Sequence, residues 1–182
     1  MIEAEVSQAL KQFFEDRGLN PLGKLNAFDH ADDAAERSFE IDLAIGPCGT
    51  KGNRAPEQIC EDRKLFESGS EVIDPVIREL AEVSLFPAGR SQIQSWTEAP
   101  NPNPLFGIAV EIENNSSKYL LGSLLAAAIA GRWGMLIVPN RDGADRWIRT
   151  IDRMMHKGSQ SPVPSNIIIF AWDELKQKLD DG

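Results

Sequence analysis

Residues 108–139 read IAVEIENNSSKYLLGSLLAAAIAGRWGMLIVP. Ile108, Val110 and Ile112 alternate with Ala109, Glu111 and Glu113. That period of two predicts a strand with one apolar face and one face bearing two carboxylates. Residues 114–117 read as a polar turn, in which Ser116 or Ser117 can cap the next helix. Residues 119–130 are mostly apolar, so the helix they predict is buried on most sides. Gly131 stops it, and residues 134–138 read as a second buried strand. Strand, helix and strand within about thirty residues make a βαβ crossover, which joins parallel strands.

Working outward toward the C-terminus, residues 141–157 have a helical stripe of Trp147, Ile148, Ile151, Met154 and Met155. Arg146, Arg149 and Arg153 fall on a different face of that helix. Pro162 and Pro164 break the chain, residues 166–170 read as a last strand, and residues 173–179 as a helix with Asp173 near its cap.

On the N-terminal side, Ile2, Val6, Leu10 and Phe13 recur at helical spacing, which predicts an amphipathic helix over residues 2–17 ended by Gly18. Asn20-Pro21 and Gly23 mark a turn, and residues 24–28 suggest a first strand. Over residues 38–45, Phe39, Ile41, Leu43 and Ile45 share one face of a strand while Glu40, Asp42 and Ala44 share the other. If this strand neighbours the one at 108–113, Asp42 and Glu111 approach one another. Residues 46–104 interrupt the pattern as an insertion or subdomain, with helical stretches at 56–67 and 71–83 and three prolines in an extended run over 99–104. The order α, β, β, insertion, β, α, β, α, β, α predicts one α/β or α+β domain over residues 1–182, with a mixed central sheet flanked by helices.

The 182 residues suit one domain with a sizeable core. Residues 119–130, the longest apolar run, are too short to span a membrane. Early Glu3 and Glu5 argue against a signal peptide, and Cys48 and Cys60 make no disulfide framework or CxxC pair. A reducing, cytoplasmic setting is expected. The net charge of −9 argues against bulk attraction to nucleic acid. The charge is uneven, though. Residues 114–160 carry seven bases against three acids, a net of +4 that leaves −13 elsewhere. One basic face can still meet a polyanion.

Two histidines give no Ser-His-Asp order to rely on, and no Gly-rich phosphate loop or Cys/His zinc spacing occurs. What remains is a set of hard oxygen donors, Asp42 from one strand and Glu111 and Glu113 from another. Mg²⁺ or Mn²⁺ suits such donors and keeps waters for a substrate phosphate.

At these residues the chain resembles the PD-(D/E)xK nucleases, the superfamily of many restriction endonucleases and Holliday junction resolvases. That family sets its Asp on one strand and the (D/E)xK on the next, followed by a helix and another strand. Ile41-Asp42 stands for the first element here and Glu111-Ile112-Glu113 for the second. The resemblance covers the N-terminal helix and about residues 38–45 and 106–139. It implies a restriction endonuclease-like core, with Asp42, Glu111 and Glu113 as metal ligands and catalytic residues. It departs from the pattern in having Ile41 before the Asp and Glu113 in place of the lysine. Some restriction endonucleases similarly carry Glu-x-Glu, and Lys118 is a candidate relocated lysine. The implied activity is Mg²⁺- or Mn²⁺-dependent hydrolysis of DNA, with Arg146, Arg149 and Arg153 as phosphate contacts. Cutting both strands of a duplex calls for two such sites, hence a homodimer. The rival readings are a nuclease-type core kept without activity as a protein- or DNA-binding module, and a plain α/β domain whose acids are a solvated sheet face.

Overall fold

The apolar run at 108–112 becomes the middle strand of a sheet, buried along its whole length. The computed structural model describes residues 2–26, 40–49, 56–86, 101, 104–113, 120–156 and 166–181. In chain order these form α1 (Ile2–Glu15), β1 (Pro21–Leu22), β2 (Leu25–Asn26), β3 (Glu40–Ile41) and β4 (Leu43–Cys48). There follow α2 (Pro56–Ala81), β5 (Phe106–Ile112), α3 (Leu120–Ala130), β6 (Gly131–Val138), α4 (Arg141–His156), β7 (Ile167–Ala171) and α5 (Trp172–Asp181). The main sheet has five strands in the order β1-β4-β5-β6-β7. Strands β1, β4 and β5 run antiparallel in turn, while β5, β6 and β7 are parallel. The mixed central sheet flanked by helices read from the sequence is therefore present.

Helices cover both faces of the sheet. On one face α1 contributes Val6, Leu10 and Phe14, α2 contributes Ile73, Ile77 and Leu80, and α5 contributes Trp172 and Leu175. They pack on Leu43, Ile45, Ile108, Val110, Trp133 and Met135 of the strands. On the other face α3 and α4 cover Ala109, Leu136, Val138 and Ile169. Burial from both sides is why the parallel strands read as apolar runs rather than as alternation. Among the described residues no helix is long and apolar enough to cross a membrane.

Helix α3 enters β6 with no loop between them. Its orphan carbonyls need donors, and two side-chain amides supply them. Asn166 Nδ2 donates to Ala128 O (2.9 Å) and Gly131 O (3.0 Å). Asn101 Nδ2 donates to Ile129 O (2.8 Å). The alanine-rich helix also lies close against the sheet. A Cβ on Gly134 would stand 2.9 Å from the Ala127 carbonyl carbon and 3.0 Å from the Ala128 nitrogen, both helix backbone, and would strike Ile167 Cδ1. Gly134→Ala is therefore expected to overpack this joint at a cost of about 1–3 kcal/mol. A thermal melt checks it, with a loss on the order of 5 °C expected.

Three readings need correction. Residues 56–67 and 71–83 are not two helices but the single 26-residue α2, which runs through Pro75. Ser68 and Ser70 are accommodated by donating their hydroxyls back to Leu65 O (2.9 Å) and Glu67 O (2.6 Å). The buried stripe of Phe66, Ile73, Ile77 and Leu80 continues across them. Thus residues 46–104 contain a helix that belongs to the main core. The turn read at residues 20–23 holds the short β1, which pairs with β4, whereas the strand expected at 24–28 is present as β2 paired with β3, its residues 27–28 lying outside the described ones. Finally, the strand at 38–45 breaks at Asp42, where the chain bends. Ile41 then joins the α3-side cluster with Ala44, out of phase with Leu43 and Ile45.

Candidate active site

The acids gather where β4 begins and β5 ends. Leu43 pairs with Val110 in an antiparallel ladder, so the next step outward sets Asp42 across from Glu111. Asp42 turns its carboxylate back over the end of β5, and the Ile112 N–H donates to its Oδ2 at 2.9 Å. This bond closes a separation of 70 residues and fixes the carboxylate's orientation. Asp42 occupies the bend because its side chain takes the amide that a continuing strand would have paired through its backbone.

Glu111 lies in the middle layer. It is 8 % exposed, and its Oε1 has lost contact with solvent. It pairs in parallel register with Leu136. Such burial is uncommon for a carboxylate. Glu113 lies just past the strand, where its N–H donates to Ile137 O at 2.9 Å. Ser123 Oγ on α3 donates to Glu113 Oε2 at 3.2 Å. The crossover helix thus holds the second glutamate of the Glu-x-Glu pair.

A lysine completes the arrangement. Lys24 Nζ stands 2.8 Å from Glu3 Oε1 on α1 and 3.5 Å from Asp42 Oδ1. The hydrogen bond to Glu3, joined by the charges of Asp42 and Glu3, pushes the Lys24 pKa upward against partial burial. Burial pushes the Asp42 carboxyl above its usual value, and the Ile112 amide and the Lys24 charge only partly oppose this. A carboxyl raised in the folded state contributes stability that is complete below its unfolded pKa and lost as pH rises through the folded one. Asp42→Asn is accordingly expected to melt higher than wild type at pH 7, with the gain fading as pH falls toward 4. Melts across that range would show it, and a variant less stable at pH 7 would contradict it.

Of the predicted residues, Asp42, Glu111 and Glu113 are brought to one end of the sheet. Arg146 and Arg149 are exposed on α4, which starts just beyond the carboxyl end of β6. Lys118 and the side chain of Arg153 lie outside the described residues. Sequence reading missed Lys24 and Glu3, since one sat in an expected strand and the other on the outer side of a helix. No spacing signal joins them. Nor did it find Ser123 or the Ile112 amide.

Among the described residues no group of three or more His, Cys, Asp and Glu stands as a ready-made metal cage. Asp42 and Glu111 are hard oxygen donors, the type that Mg²⁺ takes beside water and substrate phosphate. A cleft of about 510 Å³ also lies between α1 and α5, lined by Phe13, Arg17 and Leu179. Its Arg17 is already engaged by Glu79, at 2.7 Å, and stacked 3.6 Å over the Phe13 ring. Compared with known proteins, the chain matches no family model, no curated protein and no solved structure.

Proposed function

We propose that this chain is a Mg²⁺- or Mn²⁺-dependent endonuclease of the PD-(D/E)xK type, hydrolysing DNA phosphodiester bonds as a homodimer. The observation that carries the reading is the meeting of Asp42 with the end of β5, marked by the 2.9 Å bond from the Ile112 amide. It sets an Asp at the head of β4 against a Glu-x-Glu that ends the antiparallel neighbour. A helix and a parallel strand follow, an order that supports the restriction endonuclease-like reading. A decorative acidic sheet face would be solvated, whereas Glu111 is buried.

In this reading Asp42 and Glu111 hold the metal, Asp42 oriented by the Ile112 amide and Glu111 by its packing beside Leu136. When bound, the ion supplies charge that activates a water and stabilises the leaving oxygen. Glu113, anchored by Ser123, is the base beside the attacking water. Glu113 takes one proton of that water as its oxygen bonds to phosphorus with the other, one P–O ester bond breaks, and the leaving oxygen takes a proton from solvent to become the released hydroxyl. Arg146 and Arg149, with Arg153 on the same helix, contact flanking phosphates and release counterions from the backbone.

A second reading is a nuclease-type core serving as a binding module without cleavage. The lack of a three-acid cage among the described residues and the net charge of −9 favour it. The two separate on one assay. Plasmid and branched DNA are incubated with the chain in Mg²⁺ or Mn²⁺, beside calorimetric titration of Mn²⁺. Metal-dependent nicking or linearisation is the expected result. A folded chain that neither cleaves nor binds Mn²⁺ would leave the binding module.

A further inference from the structure

The position that the motif gives to lysine is held by Glu113 in this chain. That substitution adds a further acid where β5 ends. Asp42, Glu111 and Glu113 lie where β4 begins and β5 ends, and Glu3 is joined to Asp42 through Lys24. A phosphate can approach such a site only if fixed positive charge stands at its mouth. Lys24 is the described cation so placed. It comes from the turn between β1 and β2, far in sequence from the Glu-x-Glu. Its side chain is 55 % exposed, while the Asp42 side chain that it reaches is 16 % exposed. Glu3 fixes the ammonium from the α1 side at 2.8 Å. The head group is therefore held at the border between the buried acids and solvent, where a phosphate oxygen would arrive.

We propose that Lys24 is the phosphate-binding lysine of this site, held in position by Glu3 and standing in for the lysine that the Glu-x-Glu sequence lacks. The inference rests on the nuclease reading above and deepens it. It has a structural competitor, because the same contacts could merely tie α1 to the start of β4. The competitor predicts a loss of stability when the tie is cut and no change in how the protein meets DNA.

Lys24→Gln separates the two. Glutamine can still bond Glu3 but carries no charge. Full-length wild type, Lys24→Gln and Lys24→Arg are compared for binding of a fluorescent DNA duplex in Ca²⁺ between 50 and 200 mM salt. Cleavage in Mg²⁺ and melting temperature are measured on the same proteins. Lys24→Gln is expected to reduce the slope of log affinity against log salt by about one, as loss of one phosphate contact does. Its cleavage should fall about 10²-fold, the scale of one lost charge-stabilising donor. Lys24→Arg should keep the slope. A Lys24→Gln protein that cleaves and binds as wild type does, or that melts early with its salt slope intact, overturns the assignment and leaves the nuclease reading standing. A wild type that neither binds the duplex nor cleaves it overturns both.

Discussion

Trp133→Ala is expected to destabilise the protein by about 3–5 kcal/mol, the usual cost of truncating a large aromatic in a packed core. Trp133 is 1 % exposed and among the largest of the fully buried side chains. It stands on β6 toward the face covered by α1, α2 and α5, so alanine would leave a void that three helices cannot all close. The indole also has a polar task. Its Nε1–H donates to Asp74 Oδ1 on α2 at 2.9 Å, and Arg132 reaches the same carboxylate at 3.3 Å. The Asp74 side chain is 15 % exposed, so losing the indole strips a largely covered carboxylate of its shorter bond. Such a loss costs about 1–3 kcal/mol. At about 2–4 °C per kcal/mol for a chain of this size, the melting temperature should fall by roughly 10–15 °C. Trp133→Phe keeps most of the ring and discards the N–H. It should cost about 2 kcal/mol, which isolates the tie between α2 and the sheet. Urea unfolding of the three proteins is the measurement. An alanine variant within about 1 kcal/mol of wild type would mean that the core at β6 is not packed as described.

Local pattern carried the β5-α3-β6 unit because each piece states its period over a sufficient length. Seven consecutive buried residues in β5 and a nearly all-apolar α3 leave little else for that stretch to be. The amphipathic α1 and α4 were legible for the same reason. What escaped was whatever depends on a partner distant in sequence. Nothing in the alternation of FEIDLAI marks a bend at Asp42, because its cause is an amide 70 residues away. Gly69 and Ser70 are breakers by propensity, yet α2 passes through them under tertiary packing. Gly69 is needed there because a Cβ would come within 2.9 Å of Pro47. Asn101 and Asn166 look like loop residues until the carbonyls at the end of α3 are placed against them. The candidate site divides in the same way. The acids of 108–113 were visible as a period of two, whereas Lys24 and Glu3 reach Asp42 only through the fold.

Glu111→Gln should show the opposite balance to Trp133→Ala, with function lost and fold kept. Glutamine preserves the shape of the side chain and replaces a carboxyl oxygen with an amide nitrogen at a position that is 8 % exposed. The near-isosteric variant should melt close to wild type without metal. Its Mn²⁺ binding should be lost, and with it the rise in melting temperature that saturating metal gives wild type. That rise corresponds to about 2.7 kcal/mol at a hundredfold excess over the dissociation constant. A metal ion contributes several kcal/mol of charge stabilisation to phosphoryl chemistry, so DNA cleavage should fall by about 10³-fold or more. Glu113→Gln tests the base assigned just past the end of that strand and should retain Mn²⁺ binding, since Ser123 holds its carboxylate. A residue buried only for packing would give another result, with lower stability, no metal effect and unchanged cleavage. That outcome for Glu111 would remove the centre from the proposed site. Stability kept while metal binding and cleavage are lost is the combination that a sheet kept for its fold alone has no reason to produce.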